Sequence, residues 1–218
     1  MLELVMPLIS VLLIDVVLSG DNAVVIALAS RALPPDQKRK AIFWGSALAV
    51  MLRITLVVIA TFLIQIPYLR FTGGLALVYI GYDLLNGNHE EGDLEASDNL
   101  GKAIKTILMA DFIMSLDNVL AIAGVANGNW LVLSVGLAIS IPLVVFGAQL
   151  LSTLMTKWPV LVYIGAGLIA YTAAEMMVSD AKTAHYLEPY ALIIKVLVPL
   201  GVLGLGYWAQ RKMDKELV

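Results

Sequence analysis

The sequence predicts an all-α, polytopic membrane protein of seven transmembrane helices, built as two inverted three-helix repeats plus a C-terminal helix. Three observations predict it. The 218 residues are 60% hydrophobic and 14% charged, with mean hydropathy +0.89, and the apolar residues fall in blocks separated by short polar joints. A segment that is apolar all round becomes a spanning candidate at roughly 20 residues, whereas a soluble helix of that length shows an amphipathic period. The second observation is an internal repeat, and the third is an uneven distribution of basic residues between alternate joints.

The spans fall at residues 4–29, 41–65, 68–86, 103–126, 130–155, 159–178 and 190–210. The corresponding organisation is a first repeat over 1–88, an acidic loop over 89–102, a second repeat over 103–180, and a seventh helix with its tail over 181–218. Glu3 stands at the N-terminus without a nearby Lys or Arg, so the first apolar run lacks the basic flank of a secretory signal and is expected to be retained. The chain has no cysteine, which excludes disulfides and thiolate metal sites. Its net charge of −3 is too small to argue from, and no nucleic-acid partner is expected.

The repeat is clearest in Asp15-Val-Val-Leu-Ser19-Gly-Asp21-Asn22, which returns 96 residues later as Asp111-Phe-Ile-Met-Ser115-Leu-Asp117-Asn118. Gly45 to Ala49 matches Gly136 to Ser140, and Gly73 to Asp83 matches Gly165 to Glu175, with Tyr79 and Tyr171 each four residues before the acid. Three spans per copy force the copies to enter the membrane in opposite directions, the plan of transporters whose sites lie near the midplane between repeats. Placing the N-terminus outside puts ten basic residues in inside segments, against only Arg70 and Lys182 outside, as cytoplasmic joints require. The small residues Gly45, Ala49, Gly136 and Ser140 are read as close helix packing. The loop holding His89, Glu90, Glu91, Asp93, Glu95 and Asp98 is read as a solvated connector.

Each buried Asp costs at least about 2.5 kcal/mol on insertion scales, so two matched pairs call for a functional account. On a regular helix Asp15, Ser19 and Asn22 share a face, while Asp21 points roughly a quarter-turn away from Asn22. Gly20 would let the first copy unwind and free carbonyls as ligands; Leu116 stands there in the second. Asp21, Asn22, Asp117 and Asn118 are therefore the expected inner metal ligands, with Asp15 and Asp111 beside them and Ser19 and Ser115 as accessories. All offer oxygen or amide atoms, which suits Mn²⁺, Mg²⁺ or Ca²⁺ rather than zinc or copper. Two acids match a divalent charge, and further acids would carry protons that metal entry displaces, which makes proton antiport a natural drive. Arg53, mid-span with no partner at the equivalent Val144, is expected to neutralise a pathway carboxylate. Asp83 and Glu175 are expected near opposite membrane faces, as entry or exit ligands or as ordinary interfacial acids.

With these twin motifs, the seven spans and the small-residue second and fifth helices, the sequence resembles the TerC family of integral membrane proteins, in the wider group of LysE-like exporters. The resemblance covers nearly the whole chain. It implies export of manganese with the motif acids as ligands, in a bacterial cell membrane, and an association with tellurium resistance. No enzymatic activity and no resident cofactor are expected; Mn²⁺ is cargo, and the lipid bilayer is the other partner. An intramembrane aspartyl protease fits poorly, since the Gly-x-Gly-Asp element is absent and each motif helix carries two Asp with Ser and Asn. A non-transporting partner supplying metal to exported proteins is the other alternative. ATP drive is disfavoured because no Gly-x-x-x-x-Gly-Lys-Ser/Thr loop occurs.

Overall fold

The computed structural model describes residues 2–63, 66–86, 96–126 and 129–216, and all regular structure among them is helical. The order is α1 (Leu2–Leu18), α2 (Gly20–Ser30), α3 (Pro35–Leu63), α4 (Leu69–Asn86), α5 (Ala96–Ala126), α6 (Trp130–Lys157), α7 (Val160–Ser179), the one-turn α8 (Ala184–Leu187) and, after a 3₁₀ turn, α9 (Ala191–Glu216). By length and composition, Pro35–Ile59, Trp130–Lys157, Val160–Ser179 and Ala184–Ala209 can each cross a membrane alone, and Gly20–Ser30 is a shorter apolar helix.

Local chemistry sets several boundaries. Pro35 opens α3, where its missing N–H would have no intrahelical partner and its fixed φ is already helical. Asn129 caps α6 by accepting from the backbone N–H groups of Leu131 and Val132, at 3.1 and 3.2 Å. Asp180 ends α7 in extended conformation. Its Oδ1 accepts from the Lys182 N–H at 2.9 Å and its Oδ2 from the Phe71 N–H at 3.3 Å, tying the end of α7 to the start of α4.

Several elements differ from the sequence reading: the helix expected over 41–65 starts at Pro35, the one expected over 190–210 runs to Glu216, and α8 with its 3₁₀ turn precedes it. The span expected over 4–29 is two helices, because Ser19 leaves the helical region at φ −96° and ψ 7°. The span expected from residue 103 begins at Ala96, so the last part of the supposed loop is helical. The acidic residues between 89 and 95 lie outside the described residues.

The bundle interlocks. α3 packs on α5, both α1 and α2 on α6, α4 on α7, and α9 on α7 and α4. Glycines permit the closest approaches: a Cβ on Gly45 would stand 2.7 Å from Ile107 of α5, and one on Gly136 would stand 2.6 Å from Val11 of α1. Apolar side chains such as Phe43, Trp44, Phe146, Ile164 and Leu192 point outward, whereas the charged side chains Asp15, Arg53 and Asp111 are buried. That arrangement of an apolar rim around an ionic centre suits a lipid surround.

Candidate functional site

The centre of the bundle is Arg53, contributed by α3 and 3% exposed. Its Nη1 donates to Asp15 Oδ1 and, at 2.7 Å, to Ser19 Oγ; its Nη2 donates to Asp111 Oδ1 at 2.7 Å; its Nε donates to Ser115 Oγ at 3.1 Å. Ser19 in turn donates to Asp15 at 3.4 Å, and Ser115 to Asp111 at 3.2 Å. One planar guanidinium thus holds the Asp and Ser of both motif copies, a fork geometry that Lys cannot reproduce. The i, i+4 spacing of Asp and Ser puts each pair on one helix face, so both copies present the same two acceptors.

Around this cluster the copies diverge. In the first, the chain turns at Ser19. The backbone pairs from Ser19 N–H to Asp15 and from Ala23 N–H to Ser19 persist at 2.8 and 3.0 Å, but the Asn22 N–H and the Leu18 carbonyl have side-chain partners in place of each other: the Asn22 N–H donates to Asp21 Oδ1 at 2.9 Å, and the Leu18 carbonyl accepts from Asn118 Nδ2 at 3.2 Å. Asn118 of the second copy therefore holds a carbonyl of the first. The second copy runs as one helix through Leu116, a residue with no glycine's freedom.

Asn22 is 3% exposed, and both atoms of its amide lack a hydrogen-bond partner among the described residues, as does Asp15 Oδ2. Asn22 faces a crevice shared with Val25, Ile26, Ile107 and Asp111 that leaves no room for a water molecule. On the other side of the cluster a cavity of about 130 Å³ is lined by Leu63, Tyr68, Arg70, Asp180, Lys182 and, from the motif itself, Leu116. Tyr68 holds φ 61° there, the left-handed region that non-glycine residues rarely occupy.

The structure thus brings together Asp15, Ser19, Arg53, Asp111 and Ser115, with Asn22 adjoining and Asn118 at the joint. Asp21 is half-buried at the start of α2, and Asp117 lies on α5 with its side chain outside the described residues. Among the described residues no three Asp, Glu, His or Cys side chains form a ready metal shell. Glu175 lies on the surface, paired with Lys195 of α9 at 3.0 Å, and Asp83 is half-buried on α4. The Leu18 carbonyl, Asp180 and two buried hydroxyls, Ser46 and Ser152, stand outside the set of residues the sequence marks. Gly20 signalled the first; Ser46 sits inside a segment read as packing.

A helical bundle with an apolar exterior and a buried Asp–Arg–Asp cluster shared by two motif copies defines an integral membrane protein with a buried polar site. The model of the integral membrane protein TerC family matches residues 2–215, and the chain belongs to that family. It is 42% identical over 187 residues to the uncharacterized membrane protein YjbE of Bacillus subtilis, covering 86% of this chain and 85% of that one. It is 25% identical over 186 residues to YkoY, another uncharacterized membrane protein of Bacillus subtilis, covering 72% of this chain and 57% of the relative. The inner membrane protein YoaE of Escherichia coli is 26% identical over 140 residues, 55% of this chain and 27% of the relative. No solved structure matches.

Proposed function

We propose that the protein is a transporter that exports a divalent metal cation, Mn²⁺, through a site where two inverted repeats meet, in a bacterial cell membrane. The observation that carries this reading is the Arg53 bridge, in which one cation is held by a carboxylate from each motif copy. A divalent ion is the chemistry that would compete for those carboxylates. The unpaired Asn22 amide adds an uncharged oxygen, and Asp21, Asp117 and Asn118 are assigned to complete an all-oxygen shell, which suits hard cations. The choice of manganese rests on the family resemblance. Four motif acids and Arg53 carry a formal charge of −3, and a bound divalent ion reduces it to −1, so metal entry favours proton release and export by proton antiport.

Reciprocal packing supports the inverted-repeat, seven-span reading, with α1 and α2 as one interrupted span. Gly45 lies against α5 as its match Gly136 lies against α1; Gly73 meets Ile113 of α5 as its match Gly165 meets Val24 of α2. The basic asymmetry supports an outside N-terminus and a cytoplasmic C-terminus: a cysteine replacing Asn129 should react with an external thiol reagent and one replacing Gln37 should not. The Arg53 bridge also disfavours the protease alternative, because an aspartyl dyad shares a proton between its carboxyls, whereas each of these accepts a guanidinium N–H.

The test is purified protein in liposomes enclosing a Mn²⁺-quenched dye. Saturable Mn²⁺ entry, absent from Asp15→Asn and Asp111→Asn, is the expected result. No entry through the intact protein, at any pH gradient, would leave the non-transporting partner as the better reading.

A further inference from the structure

Two sides of the Arg53 cluster are built differently. Along α3 the order is Ile42, Ser46, Arg53, Leu63, so the cavity at Leu63 and Leu116 and the region around Ile42 lie on opposite sides of the guanidinium. On the Ile42 side, Ala23 and Ile26 of α2, Ile42 of α3, Ile107 of α5 and Ala148 of α6 close into one apolar cluster. Its isoleucines are at most 2% exposed, and the crevice above it, between Ile26, Ile107, Asn22 and Asp111, excludes water.

Polar atoms frame this apolar cluster without partners. Ser46 is one turn from Ile42, Ser152 one turn from Ala148, and Asn22 one turn from Ile26, each on the stripe its neighbour occupies. Ser46 and Ser152 are at most 1% exposed, and neither hydroxyl has a hydrogen-bond partner among the described residues; Gln37 Oε1, nearer the end of α3, is also buried and unpaired. Buried helical serines elsewhere in this chain satisfy themselves on their own helix: Ser30 donates to the Ile26 carbonyl at 2.7 Å and Ser140 to the Leu137 carbonyl at 2.8 Å. Orphaned polar atoms are destabilising in a packed core and need a physical account, and solvation in a second, open state is one that fits atoms framing an apolar plug.

We infer that the Ile26–Ile42–Ile107 cluster is the closed gate of a cargo route running from the Arg53 cluster to the end of the bundle at the 31–40 joint. Ser46 and Ser152 line that route and are hydrated when it opens. The inference rests on the transporter reading and deepens it by naming the shut side and the residues that shut it. Gly45 lets Ile107 seat against α3, so the gate depends on apolar fit and not on a charge pair.

The test uses thiol accessibility, which needs no cargo flux, in a chain that has no cysteine of its own. Ser46→Cys, Ser152→Cys and Ser140→Cys are made singly, reconstituted in liposomes, and exposed to a charged methanethiosulfonate. Combining each with Ile42→Ala should speed labelling at 46 and 152 about tenfold or more, as a cavity in the closed packing favours opening. Labelling at 140, in the other half of α6, should stay unchanged. Equal labelling at 46 and 152 with and without Ile42→Ala would overturn the gate, and so would a matching rise at 140, which would mean general loosening. Failure of Mn²⁺ uptake with the expected labelling would overturn the transport reading and leave the gated route standing.

Discussion

The two motif copies share a sequence pattern and differ in structure, and the difference separates what the pattern is for from what each copy adds. Asp15 with Ser19 and Asp111 with Ser115 do the same thing, each pair taking one side of Arg53. The Asp-Asn pairs do different things. Asn22 follows a break and has an amide with no partner among the described residues, whereas Asn118 lies on an unbroken helix and serves the carbonyl that break exposes. The lone Arg53, with Val144 at the matching position, converts a twofold pattern into an asymmetric site. Two identical copies would supply two guanidiniums, one each.

The largest expected effect breaks the shared part. Removing either carboxylate, as in Asp15→Leu or Asp111→Leu, leaves a buried guanidinium half-paired, and Arg53→Leu leaves two carboxylates facing each other. Each should destabilise the protein by about 3–5 kcal/mol, seen as a lowered thermal midpoint in detergent. Replacing all three with apolar residues should recover most of that loss and still fail to move cation, because the ionic pairing then disappears as a unit. Arg53→Lys should keep partial function only, since it reaches fewer of the four acceptors. If the three single variants melted like the parent protein, the cluster would not be the centre of the fold.

Much of this was legible in the sequence, for a physical reason: charge in an apolar span is too costly to be incidental, so Asp15, Asp111 and Arg53 mark themselves. Their pairing was only partly legible. The mid-span charge of Arg53 calls for a carboxylate partner, and that it meets one from each copy depends on α3 crossing α5 beside α1, which no local pattern encodes. The break was legible from Gly20, though the turn falls at Ser19 and the freed Leu18 carbonyl takes its partner from the other copy. Glu175 looked equivalent to Asp83 by its spacing from Tyr171, but Lys195 on the unmatched α9 claims it at the surface. Ser46 and Ser152 could not be read at all. A serine in a span is usually satisfied by its own helix, and only the packed structure shows that these two are not.

A middle-sized effect sharpens the contrast between the asparagines. Asn118→Ala removes the donor to the Leu18 carbonyl, and leaving that group unsatisfied should cost about 1–3 kcal/mol. Asn22→Leu replaces an unpaired amide with an apolar group of similar size, so it should be neutral or stabilising by up to about 1–3 kcal/mol. Function should go the other way: Asn22→Leu should abolish Mn²⁺ uptake, while Asn118→Gln, which keeps an amide, should retain part of it. Equal stability losses at both positions would mean that the two asparagines play one structural role.

The smallest effect tests whether the break is used or merely present. A Cβ on Gly20 would meet nothing within 4 Å, so Gly20→Ala introduces no clash and leaves the cavity and the Arg53 cluster untouched. Alanine favours a helix over glycine by about 1 kcal/mol and also narrows the unfolded ensemble. The variant should therefore be as stable as the parent or more stable by about that amount, read as a small upward shift of the thermal midpoint. If the joint between α1 and α2 flexes during turnover, the same bias toward continuous helix should slow Mn²⁺ uptake without changing the Mn²⁺ concentration at half-saturation. The second copy supplies the control. Leu116 already sits on continuous helix, so Leu116→Ala should cost about 2–5 kcal/mol of buried contact without a comparable effect on helix continuity. An unchanged uptake rate in Gly20→Ala would show that the joint is a fixed kink, holding the Leu18 carbonyl toward Asn118 and nothing more.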